Sequence, residues 1–148
     1  MVRNILLIEP NYKNKFPPIA LMKLSTYHKM LGDHVVFYKG EFRDFILERI
    51  SEKCVRNLTE IEPQGNWGSK KHYIYDFIKT RKKDYYASLQ LDSYDSELLL
   101  GNWVIYYKDY YWKKLYLAEP EWDRVMITTL FTFYFDATVK CINDFKRL

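Results

Sequence analysis

The sequence predicts an α/β fold: a small parallel sheet of about three strands in the order 2-1-3, flanked by helices and interrupted by a helical insertion. Three observations lead there. Ile5-Leu6-Leu7-Ile8 is a continuous apolar run of strand formers, as expected of a strand covered on both faces in a parallel sheet. Helical patterns alternate with short β-branched runs through the first sixty residues, the order that gives right-handed parallel crossovers. Aromatic residues reach 18% of 148 positions, and residues 61–123 hold 15 of the 27, so the excess belongs to one segment with a core of its own.

Each element follows in order. The first strand, Ile5–Ile8, stops at Glu9-Pro10-Asn11, where proline ends the ladder. Pro17-Pro18 launches a helix, because proline loses no partner in the first turn. Ala20, Leu24, Tyr27 and Leu31, with Leu21 beside them, give that helix its apolar face, and Gly32 is placed to end it. His34-Val35-Val36-Phe37-Tyr38 reads as the second strand and Gly40 breaks it. Phe42, Phe45, Ile46, Ile50 and Cys54 then mark a second amphipathic helix. The third unit arrives late: Arg124 to Thr129 reads as a buried strand and Leu130 to Phe135 as the loop after it. Asp136 lies near the start of a last helix with Val139, Ile142 and Phe145 on its apolar face.

The expected domains are 1–59 (βαβα), 60–123 (the insertion) and 124–148 (third strand and helix of the first domain). Connections in α/β units run to about 2–6 residues, so the insertion needs structure of its own. Ile74, Phe77, Ile78 and Arg81 suggest one helix and Leu89 to Leu100 another. Trp103, Tyr106, Tyr107, Tyr110 and Tyr111 suggest a third, continued by Trp112 and Tyr116. A doubly wound domain has about five or six strands, so the chain reads as the front portion of a larger protein.

Charge excludes little. There are 23 Lys+Arg and 19 Asp+Glu, a balance of +4, which suits solubility and does not mark a nucleic-acid binder. By segment, residues 1–60 carry 10 basic and 7 acidic groups, residues 61–123 carry 9 and 10, and residues 124–148 carry 4 and 2. Cys54 and Cys141 both sit in helical patterns and read as small buried hydrophobes. Without a disulfide framework or a CxxC pair, a reducing cytoplasm fits best. No apolar run approaches the ~20 residues of a membrane helix.

No GxGxxG follows the first strand and no GxxxxGK[ST] occurs, so dinucleotide and P-loop phosphate chemistry is not indicated. The Ser/Thr/Gly loop of a flavodoxin-type phosphate cradle is replaced by Glu9-Pro10-Asn11-Tyr12, and Thr128-Thr129 stands where a receiver domain carries its aspartate. His28, His34 and His72 are scattered and read as surface or boundary residues. No catalytic constellation and no metal site is expected within the chain.

In an open parallel sheet the ligand crevice lies beyond the carboxyl ends of the strands, where strand order reverses. In the order 2-1-3 the loops after the first strand (Glu9 to Pro18) and the third (Thr129 to Phe135) meet there, with Pro10, Asn11, Tyr12, Thr128, Thr129, Phe131 and Phe133 along the crevice. Either these residues line a small-molecule site, or the first loop caps the sheet while the two phenylalanines pack under the insertion. Residues 70–86 interleave Lys70, Lys71, His72, Tyr73, Lys79, Arg81, Lys82, Lys83, Tyr85 and Tyr86. That pattern suits stacking on single-stranded nucleic acid and equally a helix with a solvated cationic face, which is the reading preferred; nucleic acid is not expected as a partner.

The stretch Ile5-Leu-Leu-Ile-Glu-Pro-Asn-Tyr, followed by Phe16-Pro-Pro-Ile-Ala-Leu-Met-Lys-Leu and by Gly32-Asp-His-Val-Val-Phe, resembles the N-terminal B12-binding-like domain of radical SAM proteins. About 35 residues match well, and Thr128 to Phe133 more weakly. Ala20 stands where that family favours glycine. The resemblance implies a Rossmann-like, flavodoxin-like accessory domain that docks a substrate or cofactor, with Pro10, Asn11, Tyr12, Pro17, Pro18, Thr128, Thr129 and Phe131 as cofactor-binding positions. The family's Asp-x-His-x-x-Gly loop is absent, so cobalamin, if bound, would have no protein histidine ligand. With two cysteines the CxxxCxxC motif is impossible here, and the iron–sulfur cluster and S-adenosylmethionine are expected in a radical SAM domain downstream of Leu148. The alternative is a non-enzymatic module that binds a protein or nucleic acid through the aromatic and basic insertion.

Overall fold

The computed structural model describes residues 1–13, 16–80, 94–113, 120–129, 134–146 and 148, with residues 94–98 by backbone alone. The elements run β1 (Asn4–Glu9), α1 (Ile19–Met30), β2 (His34–Lys39), α2 (Phe42–Ile61), two 3-10 turns (Pro63–Gly65 and Trp67–Lys70), α3 (Lys71–Thr80), α4 (Tyr94–Trp112), β3 (Arg124–Ile127) and α5 (Phe135–Phe145). The chain divides into two compact units, Met1–Phe45 with Tyr116–Leu148, and Ile46–Leu115.

In the first unit the sheet is parallel throughout, in the order β2-β1-β3. The apolar run predicts the central strand: Ile5, Leu6, Leu7 and Ile8 are all fully buried. Side chains alternate across the sheet. Ile5 and Leu7 pack with Leu21, Leu24, Val35 and Met126 on the face that α1 covers. Leu6 and Ile8 point the other way, beside Val36 and Tyr38 in register. There Tyr38 meets the rings of Phe45 and Phe145 at 4.9 and 6.4 Å, and Phe45 meets Phe145 at 5.6 Å. The unit is therefore a helix–sheet–helix sandwich, with α5 on the face opposite α1.

Strand β3 is a correction. It spans four residues rather than six, and Val125, Met126 and Ile127 are half-exposed, because an edge strand has a neighbour on one side only. Thr128 adds one further bond, its N–H donating to the Ile8 carbonyl at 3.1 Å.

Helix α1 starts and stops where expected. Pro18 stands at its N-cap, and Gly32, at φ +81°, follows its last turn. The Asp33 N–H donates to the His28 carbonyl and the Gly32 N–H to the Lys29 carbonyl, both at 3.0 Å, a Schellman ending that requires the left-handed glycine. The buried face, however, is not the one expected. Leu21 and His28 are buried, Leu24 is half-buried, and Ala20, Tyr27 and Leu31 are exposed. The stripe is rotated by one residue because His28 has a buried polar partner: its Nδ1 lies 2.7 Å from Asp33 Oδ2. Arg3 holds the same carboxylate through Nε at 3.1 Å and Nη2 at 2.7 Å. His28 is thus an interior residue of the sheet's N-terminal end and not a boundary residue.

Helix α5 likewise turns inward a different face from the one expected. Phe135, expected in the loop, is its first residue, and the buried side chains are Thr138, Cys141 and Phe145. Val139 and Ile142, expected inside, are 37% and 42% exposed.

The second unit is helical. On α2 Ile46, Ile50 and Cys54 are buried as the periodicity predicts, and the buried face runs on to Leu58. Ile74, Phe77 and Ile78 form the buried face of α3. On α4 Leu100, Val104 and Tyr111 are buried, whereas Tyr106 and Trp112 are exposed. Lys71 pairs with Glu48 and, at 3.3 Å, with Glu52. Arg81 and Leu89, expected in helices, and Tyr116 lie outside the described residues. Both cysteines are free and buried; burial pushes the Cys54 thiol up to about 12 and the Cys141 thiol to about 11. Among the described residues no helix is long and apolar enough to cross a membrane.

Candidate functional site

Parallel strands deliver their carboxyl ends to one edge of the sheet, and there the loops after β1 and β3 meet. Pro10 turns the chain: the Tyr12 N–H donates to its carbonyl at 2.8 Å. Tyr12 then folds back, 7% exposed, and stacks on Tyr134, with ring centroids 4.3 Å apart and planes 12° from parallel. The Tyr134 hydroxyl donates to the Lys13 carbonyl at 2.8 Å. Thr128 continues β3, and the Thr129 hydroxyl lies 3.2 Å from that of Thr138, which donates to the Tyr134 carbonyl at 2.9 Å.

Around this pair sit residues that the sequence did not single out. Glu9, the last residue of β1, is 3% exposed at its side chain and accepts from Lys39 Nζ at 3.1 Å. The same ammonium lies 5.4 Å from the centroid of the Tyr12 ring. Strand parity places Glu9 and Lys39 side by side; a sequence register of β1 against β2 was the signal that could have found them. Asn11 Nδ2 donates to Glu41 Oε1 at 3.1 Å, and Lys140 Nζ donates to Glu41 Oε2 at 2.8 Å and to Asp144 Oδ2 at 3.2 Å. Lys140 first, then Asn11, hold the Glu41 carboxyl below its usual range. Asn11, Gly40, Glu41, Lys140, Cys141 and Asp144 enclose a cleft of about 40 Å³, room for a water molecule or a very small ligand.

The Tyr12 hydroxyl is the anomaly. It is buried and has no hydrogen-bond partner among the described residues, although a buried polar group normally finds one. Burial, with Glu9 and Tyr134 nearby, raises the phenol above its ordinary pKa of 10.0.

Of the expected positions, Pro10, Asn11, Tyr12, Thr128 and Thr129 come together at this edge. Pro17 and Pro18 belong to the start of α1; Pro18 borders a separate shallow apolar groove of about 330 Å³ shared with Leu21, Met22 and Phe37. Phe131 and Phe133 lie outside the described residues. The basic stretch is partly consumed internally: Lys71 is paired with two glutamates, Lys70 Nζ lies 4.8 Å over the Trp67 ring, and Lys79 Nζ lies 6.0 Å from that of Tyr75. Arg81, Lys82, Lys83, Tyr85 and Tyr86 lie outside the described residues.

Cobalamin does not fit the described arrangement. The tyrosine stack and the Asn11–Glu41–Lys140 bridge leave a cleft sized for water, and the two histidines of this unit are placed elsewhere: His28 is tied to Asp33, and His34 opens β2 at the opposite end of the sheet. Among the described residues no group of three or more His, Cys, Asp or Glu side chains could hold a metal ion. Compared with known protein families, curated proteins and solved structures, the chain matches none.

Proposed function

We propose that the chain is an accessory docking domain whose crevice at the carboxyl ends of β1 and β3 takes a small polar ligand. The reaction is carried elsewhere, by a radical SAM part of the same polypeptide as the resemblance implies. The observation that carries this reading is the buried Tyr12 hydroxyl without a partner. An unsatisfied buried donor costs about 1–3 kcal/mol, and a water or ion that completes the bond is one recognised reason for such a cost to be retained. Tyr12 offers one O–H donor, Glu9 and Lys39 supply a fixed charge pair beside it, and the Thr129 and Thr138 hydroxyls lie at the start of α5. The chain's own residues bind and orient the ligand. Two free, buried thiols suit a reducing cytoplasm.

Backbone-amide NMR of the full chain tests the reading. Acetamide, acetate and inorganic phosphate are the acceptor probes, and hydroxocobalamin is run beside them. At least one acceptor should shift the Tyr12 and Thr129 resonances saturably, while hydroxocobalamin leaves its own visible spectrum and the amides unchanged. No response to any acceptor would overturn the docking role; a hydroxocobalamin response would overturn the size argument.

A further inference from the structure

In the order β2-β1-β3, strand β2 has a sheet neighbour on one side only. The His34 N–H donates to the Arg3 carbonyl at 2.8 Å, and successive residues of a parallel strand turn their N–H and C=O groups to opposite sides. His34, Val36 and Tyr38 therefore bond to β1. The backbone groups of Val35 and Phe37 face outward, with no partner among the described residues. Edge strands are normally blunted by proline, a bulge or an outward lysine. Strand β2 pairs in unbroken register over its six residues, contains no proline, and has its one lysine, Lys39, held by Glu9 at 3.1 Å.

A groove runs beside that edge. Phe37 is in register with Leu7, so its ring lies on the face that α1 covers, yet it is 49% exposed. With Pro18, Leu21, Met22, Ser25 and Thr26 it lines a volume of about 330 Å³, the low end for a binding site and room for one or two apolar side chains. Charge then selects the occupant. Neither α1 nor β2 contains an Asp or Glu, whereas α1 carries Lys23 and Lys29, both exposed and outside any ion pair among the described residues. Met22, Ser25 and Lys29 follow at i, i+3 and i+7, which puts Lys29 at the end of the groove. Two copies of this surface would set cation against cation, so a second copy of the chain is a poor occupant and an acidic segment a good one. An open edge beside an apolar groove is how an extended peptide is taken: main-chain bonds give affinity, and alternate side chains of the added strand enter the groove. We propose that the β2 edge and the α1–β2 groove bind an extended segment of another protein, with an apolar side chain seated against Phe37 and Met22 and acidic residues flanking it.

The full chain is titrated with a short blocked peptide in which valine, leucine and valine alternate with threonine between glutamates at both ends. A lysine-ended counterpart and one with alanine for leucine are the controls, and amide hydrogen exchange followed by NMR is the readout. The acidic peptide should bind saturably and slow exchange at Val35 and Phe37 by about tenfold, leaving Val36, already bonded to β1, unchanged. Met22→Glu should weaken binding by about tenfold and Lys29→Glu by about fivefold. Should either variant fail to fold, the wild-type exchange pattern decides. No saturable binding overturns the proposal, as does binding that leaves Val35 and Phe37 unprotected. Equal affinity for either control peptide overturns it too. So does protection of those two amides that grows with protein concentration in the absence of peptide, which would give the edge to a second copy.

Discussion

Replacing Tyr12 by Phe should make this protein more stable. The substitution removes one oxygen and keeps the ring, so the stack on Tyr134 and the approach of Lys39 Nζ both survive. What is lost is a buried hydroxyl with no partner among the described residues, whose desolvation costs about 1–3 kcal/mol. Allowing for imperfect repacking, the gain is about 1–2 kcal/mol; at about 3–4 °C per kcal/mol for a chain of this size, the transition moves up by roughly 3–8 °C. Tyr134→Phe is the control: it removes a bond to the Lys13 carbonyl and should cost about 0.5–1.5 kcal/mol. The two members of one stacked pair therefore respond with opposite sign. Because the Tyr12 phenol is raised in the folded state, the unfolded chain ionises first and the wild type loses stability as pH rises above 10 towards the folded value. The advantage of the Phe variant should then widen above pH 10. Urea denaturation followed by circular dichroism measures all three proteins, with calorimetry to check whether the two units melt together. A Tyr12→Phe variant equal to or weaker than the wild type would show that the hydroxyl is bonded, and the reasoning about the crevice would fail with it.

Other expectations are more direct. Phe145→Ala should cost about 3–5 kcal/mol, since it empties the ring cluster with Tyr38, Phe42 and Phe45. Ile142→Ala, on the exposed side of α5, should cost under about 1 kcal/mol; equal losses in urea midpoints would put the wrong face inside. The Cys54 thiol, near 9.0 ordinarily and pushed to about 12 by burial, contributes stability below pH 9 that is lost as pH rises towards 12. Midpoints measured from pH 8 to 11 should fall, and Cys54→Ala should flatten the slope. Arg3, then His28, hold the Asp33 carboxyl well below its ordinary 3.8, so its contribution is present above pH 4 and lost as pH falls through the folded value. Asp33→Asn should lower the midpoint at pH 7, and the gap to wild type should close on acidification; a constant gap would mean the charge is irrelevant.

Much of the framework was legible in the residues alone. A four-residue apolar run has no solvent side, so it had to be the central strand, and short β-α-β spacing allows only the parallel crossover. Pro17-Pro18 and Gly32 act on their own backbone dihedrals, which is why both ends of α1 could be read locally. The carboxyl edge that gathers Pro10, Asn11, Tyr12, Thr128 and Thr129 follows from that topology. Which side of each helix faces inward was a different matter. On α1 the stripes Ala20–Leu24–Tyr27–Leu31 and Leu21–Leu24–His28 differ by one residue, and a helical period of 3.6 cannot choose between them. The choice was made by Asp33, brought beside Arg3 by the pairing of β1 with β2, because a buried histidine is tolerated where a carboxylate meets it. On α5 Thr138 and Cys141 displaced the larger Val139 and Ile142, with the Thr138 hydroxyl satisfied by a backbone carbonyl. Glu9 beside Lys39 and the lone hydroxyl of Tyr12 likewise follow from pairings across the chain. Local sequence sets periods and breaks; which side chains meet, and which polar atom is left without a partner, is decided only when distant segments are brought to within a few ångströms of each other.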